Sequence, residues 1–398
     1  MVILEPYEGL RVKRGERVLA AELAAPHAVL STCRVNGGLR EDLSLVVNHQ
    51  ACEPRPHPDC EHRRCLAARD PEGYHRLICN TYGFPPEKTA LLGTAANMYL
   101  AGFATEAFRD LTVFCAATAG VETNAGRAGD PAHFYEEEGR FLRIEGGGAV
   151  ACDRRGTIVL MVFVNRPLTP GALVRAVKMV TEAKVTVLEE LHVASRYSSG
   201  LATGTGTDQI AVAARLDPSL RPLSGAGKHV KLGELLSRAT RRALFRALSL
   251  QNKLTPETVR YAPRLLERYG LGEETLLVAL REFLPPPVHE WFARNRYPLL
   301  GDAVLVSHLL SYLHLWDNAR WEIVPEEVAS EVLLDEAALL ATALSQRRES
   351  FPEFRKKLAP ETGKPQRLLL SALALGFYEK WHHEVGEKAG VVPESSGS

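Results

Sequence analysis

The feature that most constrains this chain is a run of seven consecutive apolar residues, Ile158–Val164, directly after Gly156 and Thr157. The run is too short to span a membrane, and its β-branched side chains favour a buried strand. A hydroxyl that follows glycine at the start of a buried strand can be held rigidly and still be accessible to a ligand. Thr157 is therefore the first candidate for a reactive group.

Composition argues against several classes of function. The chain has 398 residues, enough for two domains, and its 48 basic side chains balance 48 acidic ones. A net charge of zero argues against nucleic-acid binding, which needs a basic excess or a basic stripe. No apolar run has transmembrane length, and the seven cysteines come without a signal-like segment near Met1. We therefore expect no membrane partner and a cytoplasmic protein with reduced thiols.

Two polar loops adjoin predicted strands. The strand predicted over residues 111–121 ends in loop 122–130, which combines small residues with an amide, a guanidinium and two carboxylates. Loop 203–208, Thr-Gly-Thr-Gly-Thr-Asp, precedes a strand predicted over 209–214 and could hold an oxyanion or a phosphate. It is not a Walker loop, because no Gly-Lys-Ser/Thr sequence opens a helix there. One sheet could bring both loops and Thr157 to a common edge, although each loop could also be an ordinary connection.

The chemistry of Thr157 depends on finding a base for its hydroxyl proton. Cleavage of the chain before Thr157 would free an α-amine that can serve, and Gly156 could adopt the strained geometry that cleavage needs. Without cleavage the base would be one of three side chains, Asp208, Glu122 or His229. Asn124 could donate a hydrogen bond to the developing oxyanion. A purely structural threonine at a strand start is the alternative.

A cysteine- and histidine-rich stretch over residues 51–80 reads as loop-rich and contains four prolines. Clusters of this kind in reduced proteins make a structural zinc site, or less often an iron–sulfur cluster. The spacing lacks the paired Cys-x2-Cys form, so unpaired thiols are the alternative. The candidate metal ligands are Cys52, Cys60, Cys65 and Cys79.

Beyond about residue 250 the strand-like runs stop. Helical periodicity is found over 255–284, 302–318, 325–348 and 366–385, with proline-containing breaks between segments. These patterns predict an α+β domain over 1–248, an all-α domain over 249–390 and a disordered tail over 391–398.

Eight short motifs, in order along residues 20–245, resemble those of the adenosylcobinamide amidohydrolase family. They occupy residues 36–38, 93–96, 118–130, 156–158, 181–184, 202–208, 227–229 and 232–234. The cysteine-rich segment, about 49–80, looks like an insertion relative to shorter members of this family. The helical C-terminal part lies outside the resemblance.

The resemblance implies a hydrolase that cleaves the amide between the aminopropanol arm and the corrin ring of adenosylcobinamide. The products would be adenosylcobyric acid, which re-enters coenzyme B12 synthesis, and the amino alcohol. Cobalt would then belong to the substrate, and catalysis would need no protein cofactor. The candidate catalytic residues are Thr157, Asn124 and Asp208. The candidate substrate-binding residues are Asn36, Gly37, Glu122, Arg127, Asp130, Glu182, Lys184, Thr205, Thr207 and His229.

A second, shorter resemblance is to the self-cleaving aminopeptidase and ornithine acetyltransferase group. There a Ser or Thr after Gly opens a strand and is the nucleophile, and an upstream Asn helps to form the oxyanion hole; Thr157 and Asn124 match in position. The implied fold is a layered sandwich of two sheets flanked by helices, here followed by the all-α domain. The competing interpretations are a non-catalytic corrinoid-binding protein and an assembly scaffold built by the helical domain, with a possible homo-oligomer.

Overall fold

The computed structural model describes residues 2–53, 66–67, 70–144 and 156–389. The chain divides into two compact units, Met1–Thr255 and Pro256–Ser398. The division lies a few residues beyond the boundary expected at 248, because the last helix of the first unit continues to Asn252.

Two β-sheets form the framework of the first unit. The five-stranded sheet has the order β1-β2-β3-β6-β7, and the six-stranded sheet has the order β5-β4-β15-β13-β9-β8. Two short antiparallel pairs, β10-β14 and β11-β12, lie beside them. The strands are β1 Val2–Tyr7, β2 Leu10–Arg14, β3 Val18–Leu23, β4 His27–Ser31, β5 Gly38–Arg40, β6 Leu45–Gln50, β7 Thr89–Thr94, β8 Gly102–Phe108, β9 Leu111–Ala119, β10 Ala125–Gly126, β11 Phe134–Glu137, β12 Arg140–Arg143, β13 Ile158–Val164, β14 Gly204–Thr205 and β15 Gln209–Arg215.

The apolar run that opened the sequence analysis is strand β13, and all seven of its side chains are buried. It pairs antiparallel with β9 and parallel with β15, so it lies in the middle of the six-stranded sheet. Each large side chain on such a strand contributes about 1.5–3 kcal/mol by leaving water. The predicted buried strand is therefore confirmed.

The two sheets pack face to face around one apolar core. Met161 and Phe163 of β13 lie in the same buried cluster as Leu19 of β3, Val46 of β6 and Leu92 of β7. Alternate residues of each strand point into this cluster, as the two-residue period of a strand requires.

Helices cover the outer faces of both sheets. Helix α1, Pro71–Tyr82, connects the parallel strands β6 and β7, and helix α2, Pro170–Glu190, connects the parallel strands β13 and β15. Helix α3, Lys231–Asn252, packs on β8 and β9. The predicted fold class, a layered sheet sandwich flanked by helices, is confirmed for this unit.

The stretch expected to be loop-rich contains helix α1. Asp70 caps its first turn by accepting a hydrogen bond from the backbone nitrogen of Gly73 at 2.8 Å, Pro71 occupies the first helical position, and Gly83 ends it with a φ of 70°. Strand β6, which precedes this helix, is buried along its whole length. Tyr82, at the end of this helix, packs against the outer face of the five-stranded sheet.

The second unit is all-α in its described part, as predicted. One central helix, Glu326–Ser345, packs against the helices Ala303–Arg320, Phe351–Leu358 and Pro365–Ala389. The helices are α4 Pro256–Val259, α5 Ala262–Leu266, α6 Glu273–Ala279, α7 Pro286–Leu300, α8 Ala303–Arg320, α9 Glu326–Ser345, α10 Phe351–Leu358 and α11 Pro365–Ala389. The tail predicted over 391–398 lies outside the described residues.

No single helix in the described ranges is both long and apolar enough to cross a membrane. Helices α7 and α8, which meet at 87°, satisfy the length and composition requirements only when they are taken together.

Candidate active site

One edge of the six-stranded sheet holds Thr157 and the two polar loops that the sequence singled out. Ile158 at the start of β13 lies opposite Ala119 at the end of β9, and Val159 lies opposite Gln209 at the start of β15. The backbone nitrogen of Gly120 donates to the carbonyl oxygen of Thr157 at 3.1 Å. Sheet register therefore places Thr157 between the two polar loops.

A two-residue ladder joins the loops to each other. β10 pairs with β14, with Ala125 opposite Thr205 and Gly126 opposite Gly204. The backbone nitrogen of Gly206 also donates to the carbonyl oxygen of Asn124 at 3.3 Å. The loops are thus held as one backbone unit above the start of β13.

Two donors converge on the carbonyl oxygen of Gly156. The Nδ2 atom of Asn124 donates to it at 2.9 Å, and the Oγ1 atom of Thr207 donates at 3.0 Å. Because the single proton of the Thr207 hydroxyl is used there, its hydrogen bond with Thr157 must have Thr157 as the donor. Thr157 is 8% exposed, so its hydroxyl is covered by these neighbours. The pair of donors is the arrangement that stabilises an oxyanion.

Tyr197, which sequence reasoning missed, orients the amide of Asn124. Its hydroxyl donates to the Oδ1 atom at 2.7 Å, which leaves Nδ2 facing Gly156. The ring packs closely over Gly126, where an added Cβ would lie 3.2 Å from a ring carbon. No pattern in the sequence around Tyr197 signals this contact, which arises only when the loops fold together.

Asp208 and Lys184 form a largely buried ion pair, with side chains 14% and 9% exposed. The Oδ1 atom of Asp208 also accepts from the backbone nitrogen and the hydroxyl of Thr205 at 3.0 and 2.6 Å, and from the backbone nitrogen of Ile158 at 3.3 Å. A Cβ on Gly204 would lie 2.2 Å from this carboxylate, so the ion pair needs glycine there. Both charges are compensated, as buried charges must be.

Asp130 organises the outer part of loop 122–130. It accepts from the backbone nitrogen of Arg127 at 2.7 Å and from the hydroxyl of Ser195 at 2.6 Å. Burial alone would raise the pKa of the Asp130 carboxyl, but hydrogen bonds from Ser195 and Ser198 lower it overall. The carboxylate is therefore ionised at neutral pH.

A cavity of about 770 Å³ opens above this constellation. Its polar walls come from seven of the candidate site residues: Asn124, Arg127, Asp130, Lys184, Thr205, Thr207 and Asp208. Sequence reasoning missed the aromatic wall residues His133, Phe134 and Tyr197, and also Pro131 and Ala132. Thr157 lies behind Thr207.

Asn36 and Gly37 stabilise the turn that precedes β5. The amide nitrogen of Asn36 donates to the backbone carbonyls of Pro86 and Thr89 at 2.8 and 2.9 Å. A Cβ on Gly37 would lie 1.9 Å from the carbonyl oxygen of Cys33. Neither residue is among the described residues that line the cavity, and their roles in substrate binding stay predictions.

Three further candidates are also missing from the described lining of the cavity. Glu122 and His229 are exposed, and His229 follows the end of β15, whereas Asp208 precedes its start. Glu182 lies 3.0 Å from the ammonium of Lys228, and a hydrogen bond from that ammonium lowers the pKa of the carboxyl. Of the three candidate side-chain bases, Asp208 alone lies at the cavity.

Glycine is needed at position 156 because two backbone segments approach closely there, and not because of the strained backbone geometry that we expected. Its φ is outside the left-handed region, where seven other described glycines are found. A Cβ at this position would instead lie 2.5 Å from the carbonyl oxygen of Gly120 and 3.3 Å from the Cβ of Asn124. Close approach of two backbone segments therefore selects glycine here.

The predicted zinc ligands are only partly within the described residues. Cys52 and Cys79 are buried, and burial raises the pKa of the Cys79 thiol. Cys60 and Cys65 lie outside the described ranges. Within those ranges no three His, Cys, Asp or Glu residues are grouped closely enough to hold a metal ion. The zinc site stays a prediction.

Comparisons with known proteins bear on the first unit. The family model of adenosylcobinamide amidohydrolase matches residues 3–256. An uncharacterized protein of Methanocaldococcus jannaschii is 33% identical over 240 residues, which are 60% of this chain and 88% of that protein.

Two solved structures show weaker similarity. A protein from Pyrococcus horikoshii is 12% identical, with a TM-score of 0.29 over 64% of this chain and 86% of that one. A Burkholderia beta-aminopeptidase is 14% identical, with a TM-score of 0.29 over 61% and 84% respectively.

Proposed function

This chain belongs to the adenosylcobinamide amidohydrolase family, and we propose that it hydrolyses the amide joining the aminopropanol arm of adenosylcobinamide to its corrin ring. The observation that carries the mechanism is the pair of donors, Asn124 and Thr207, on the carbonyl oxygen of Gly156. The hydroxyl of Thr157 lies directly beside them. We assign Thr157 as the nucleophile and these donors as the oxyanion hole.

In this proposal the enzyme first activates itself by cleaving its own chain. The Oγ1 atom of Thr157 attacks the carbonyl carbon of Gly156, and the two donors stabilise the oxyanion. The C–N bond breaks, the nitrogen of Thr157 takes up the hydroxyl proton, and an ester joins Gly156 to Oγ1. Water hydrolyses this ester, which leaves a carboxylate on Gly156 and a free α-amine on Thr157.

The freed α-amine then serves as the base for turnover. The pKa of an α-amine is ordinarily about 7.7–8.0, so the group is partly unprotonated at neutral pH. Asp208 is less suited, because its oxygens already bind Lys184, Thr205 and the start of β13. We assign it the positioning of Lys184 and of the nucleophile's strand.

Hydrolysis follows the same course with the substrate amide in place of Gly156. Thr157 attacks the amide carbonyl while its proton passes to the α-amine, and the oxyanion binds Asn124 and Thr207. The α-amine returns the proton to the departing nitrogen, so aminopropanol leaves as an amine. Water cleaves the resulting ester and releases adenosylcobyric acid. Cobalt is part of the substrate, and no step requires a protein cofactor.

The test is chromatographic analysis of adenosylcobinamide incubated with the protein. The expected result is adenosylcobyric acid from the wild type, less from Thr157→Ser, and none above background from Thr157→Ala. The absence of turnover in every corrinoid form tried would refute the proposal. Tight binding without product, unchanged in Thr157→Ala, would instead identify a corrinoid-binding protein.

A further inference from the structure

We propose that the β11–β12 hairpin is a binding surface for the corrin macrocycle, holding the bulk of the substrate beside the cavity that takes its reacting arm. The proposal rests on the proposed function for the identity of the ligand. The position of the hairpin and its side chains are the evidence for where the macrocycle binds.

The hairpin is continuous with the wall of the cavity. Phe134, the first residue of β11, lines the cavity together with His133. The ring of His133 packs against Tyr197, the residue that orients Asn124, with centroids 5.4 Å apart. The backbone nitrogen of Ile144 donates to the carbonyl oxygen of His133 at 3.0 Å and closes the base of the hairpin. A ligand that fills the cavity and extends outward therefore meets the hairpin first.

One face of the hairpin carries two exposed aromatic rings. Phe134 lies opposite Arg143 and Glu136 lies opposite Phe141, so Phe134 and Phe141 are diagonal neighbours on the same face. They are 43% and 57% exposed. The guanidinium of Arg34, in the loop after β4, lies 5.5 Å from the Phe141 ring centroid and extends this surface.

Such a surface is unfavourable in water unless something covers it. A two-stranded hairpin is marginally stable by itself, and contiguous exposed apolar area marks binding sites. The cavity volume of about 770 Å³ lies within the range that holds drug-sized ligands. A corrin ring with its amide arms and adenosyl group is much larger than such ligands, so most of it must lie outside the cavity.

The chemistry of the hairpin fits that ligand. Aromatic rings pack well against a broad, largely apolar macrocycle. An alkylcobalt(III) corrin also keeps a net positive charge, because the ring and the carbon ligand do not fully neutralise the metal. Glu136 lies on the same face as the two rings and could face that charge, but Arg143 shares the face and Arg34 borders it, so charge does not select the ligand. The two rings and their place beside the cavity therefore carry the proposal.

The experiment measures the dissociation constant of adenosylcobinamide by equilibrium dialysis, in a Thr157→Ala background so that no substrate is consumed. We expect the double variant Phe134→Ala, Phe141→Ala to bind about tenfold more weakly. Phe134→Leu, which keeps apolar bulk without a ring, should give a smaller loss. In the enzyme with Thr157 intact, KM should rise with little change in kcat.

The matched control is Phe108→Ala. Phe108 is also 43% exposed, but it lies at the opposite end of the six-stranded sheet, where β8 turns into β9. It should bind adenosylcobinamide like the wild type. Thermal unfolding of each phenylalanine variant should match that of the Thr157→Ala parent, because all three rings are exposed.

The outcomes separate this proposal from the proposed function. Unchanged binding in the double variant would overturn the hairpin proposal and leave hydrolysis untouched. Hairpin-dependent binding without any product from the wild type would support the hairpin and refute hydrolysis. A wild type that neither binds nor hydrolyses the corrinoid would overturn both. A double variant that binds normally but loses a dimer in light scattering would show that a second copy covers this face, which also overturns the proposal.

Discussion

At the scale of single residues, the site depends on which way the amide of Asn124 faces. Its Nδ2 atom can donate to an oxyanion only if Oδ1 is held on the other side, and the hydroxyl of Tyr197 holds it there at 2.7 Å. Tyr197 is therefore a positioning residue that acts through Asn124. Neither its type nor its spacing from Thr157 identifies this role, because the contact arises only when the loops fold together.

Tyr197→Phe tests that role. Losing one hydrogen bond of this kind should lower kcat about tenfold with little change in KM, because substrate contacts remain. Steady-state kinetics on adenosylcobinamide measure both constants. Tyr99→Phe, an exposed tyrosine outside the described cavity lining, is the control and should behave as the wild type. A proportionate rise in KM at constant kcat would argue against the role.

Gly156 gives a second prediction at this scale. In Gly156→Ala the new Cβ would lie 2.5 Å from the carbonyl oxygen of Gly120, so the backbone must shift and carry the start of β13 with it. A displacement of about 1 Å can cost about a hundredfold in rate, and we expect a loss of that size in hydrolysis. Gly171→Ala, in the first turn of α2 with no heavy atom within 4 Å of its Cβ, should keep full activity. Equal activity in both variants would contradict the close-approach argument.

At the scale of elements, strands and loops differ in how far the sequence predicts them. The apolar run of β13 predicts a buried strand well, because it is shorter than most buried helices and rich in β-branched residues. By contrast, β10 and β14 have two residues each, and no pattern of that length predicts a pairing. The burial of β6 along its whole length likewise depends on helix α1 covering the outer face of the sheet, and no local pattern predicts that. The two-sheet sandwich was predicted from a family resemblance, whereas residue patterns alone predicted only strands followed by helices.

His27, the first residue of β4, makes stability depend on pH. Its Nδ1 atom contacts the carbonyl oxygen of Ala25 at 2.7 Å and must donate, so Nε2 accepts from the hydroxyl of Tyr7 at 3.0 Å. Burial and the charge of nearby Arg215 together lower the pKa of His27 from 6.5 to about 4, although the hydrogen bond to the Ala25 carbonyl opposes this shift.

As the pH falls, His27 therefore takes up a proton near pH 6.5 in the unfolded chain but stays neutral in the folded chain until the pH reaches about 4. The free energy of unfolding should fall by about 3 kcal/mol as pH drops from 6.5 to 4, and this contribution should level off below the folded pKa. Denaturant unfolding across this range measures the slope. His27→Gln should be less stable but should lose this part of the pH dependence. An identical slope in the variant would show that other groups cause it.

At the scale of the whole molecule, the described chemistry lies in one of the two compact units. The family match ends at residue 256, and every described residue that lines the cavity precedes Thr255. A chain that ends at Thr255 should therefore keep kcat/KM within about threefold of the full-length value, since its own core is complete. Loss of hydrolysis in a folded truncation would assign the helical unit a part in catalysis. A drop in mass in solution larger than the removed residues would instead support an assembly role.

The central claim is that Thr157 becomes an N-terminal nucleophile by attack on the Gly156 carbonyl. The intact mass of the purified, catalytically active protein tests it most directly. The account predicts two chains, residues 1–156 and 157–398, in the wild type, and one unbroken chain in Thr157→Ala. A single unbroken chain that hydrolyses adenosylcobinamide at full rate would contradict the claim.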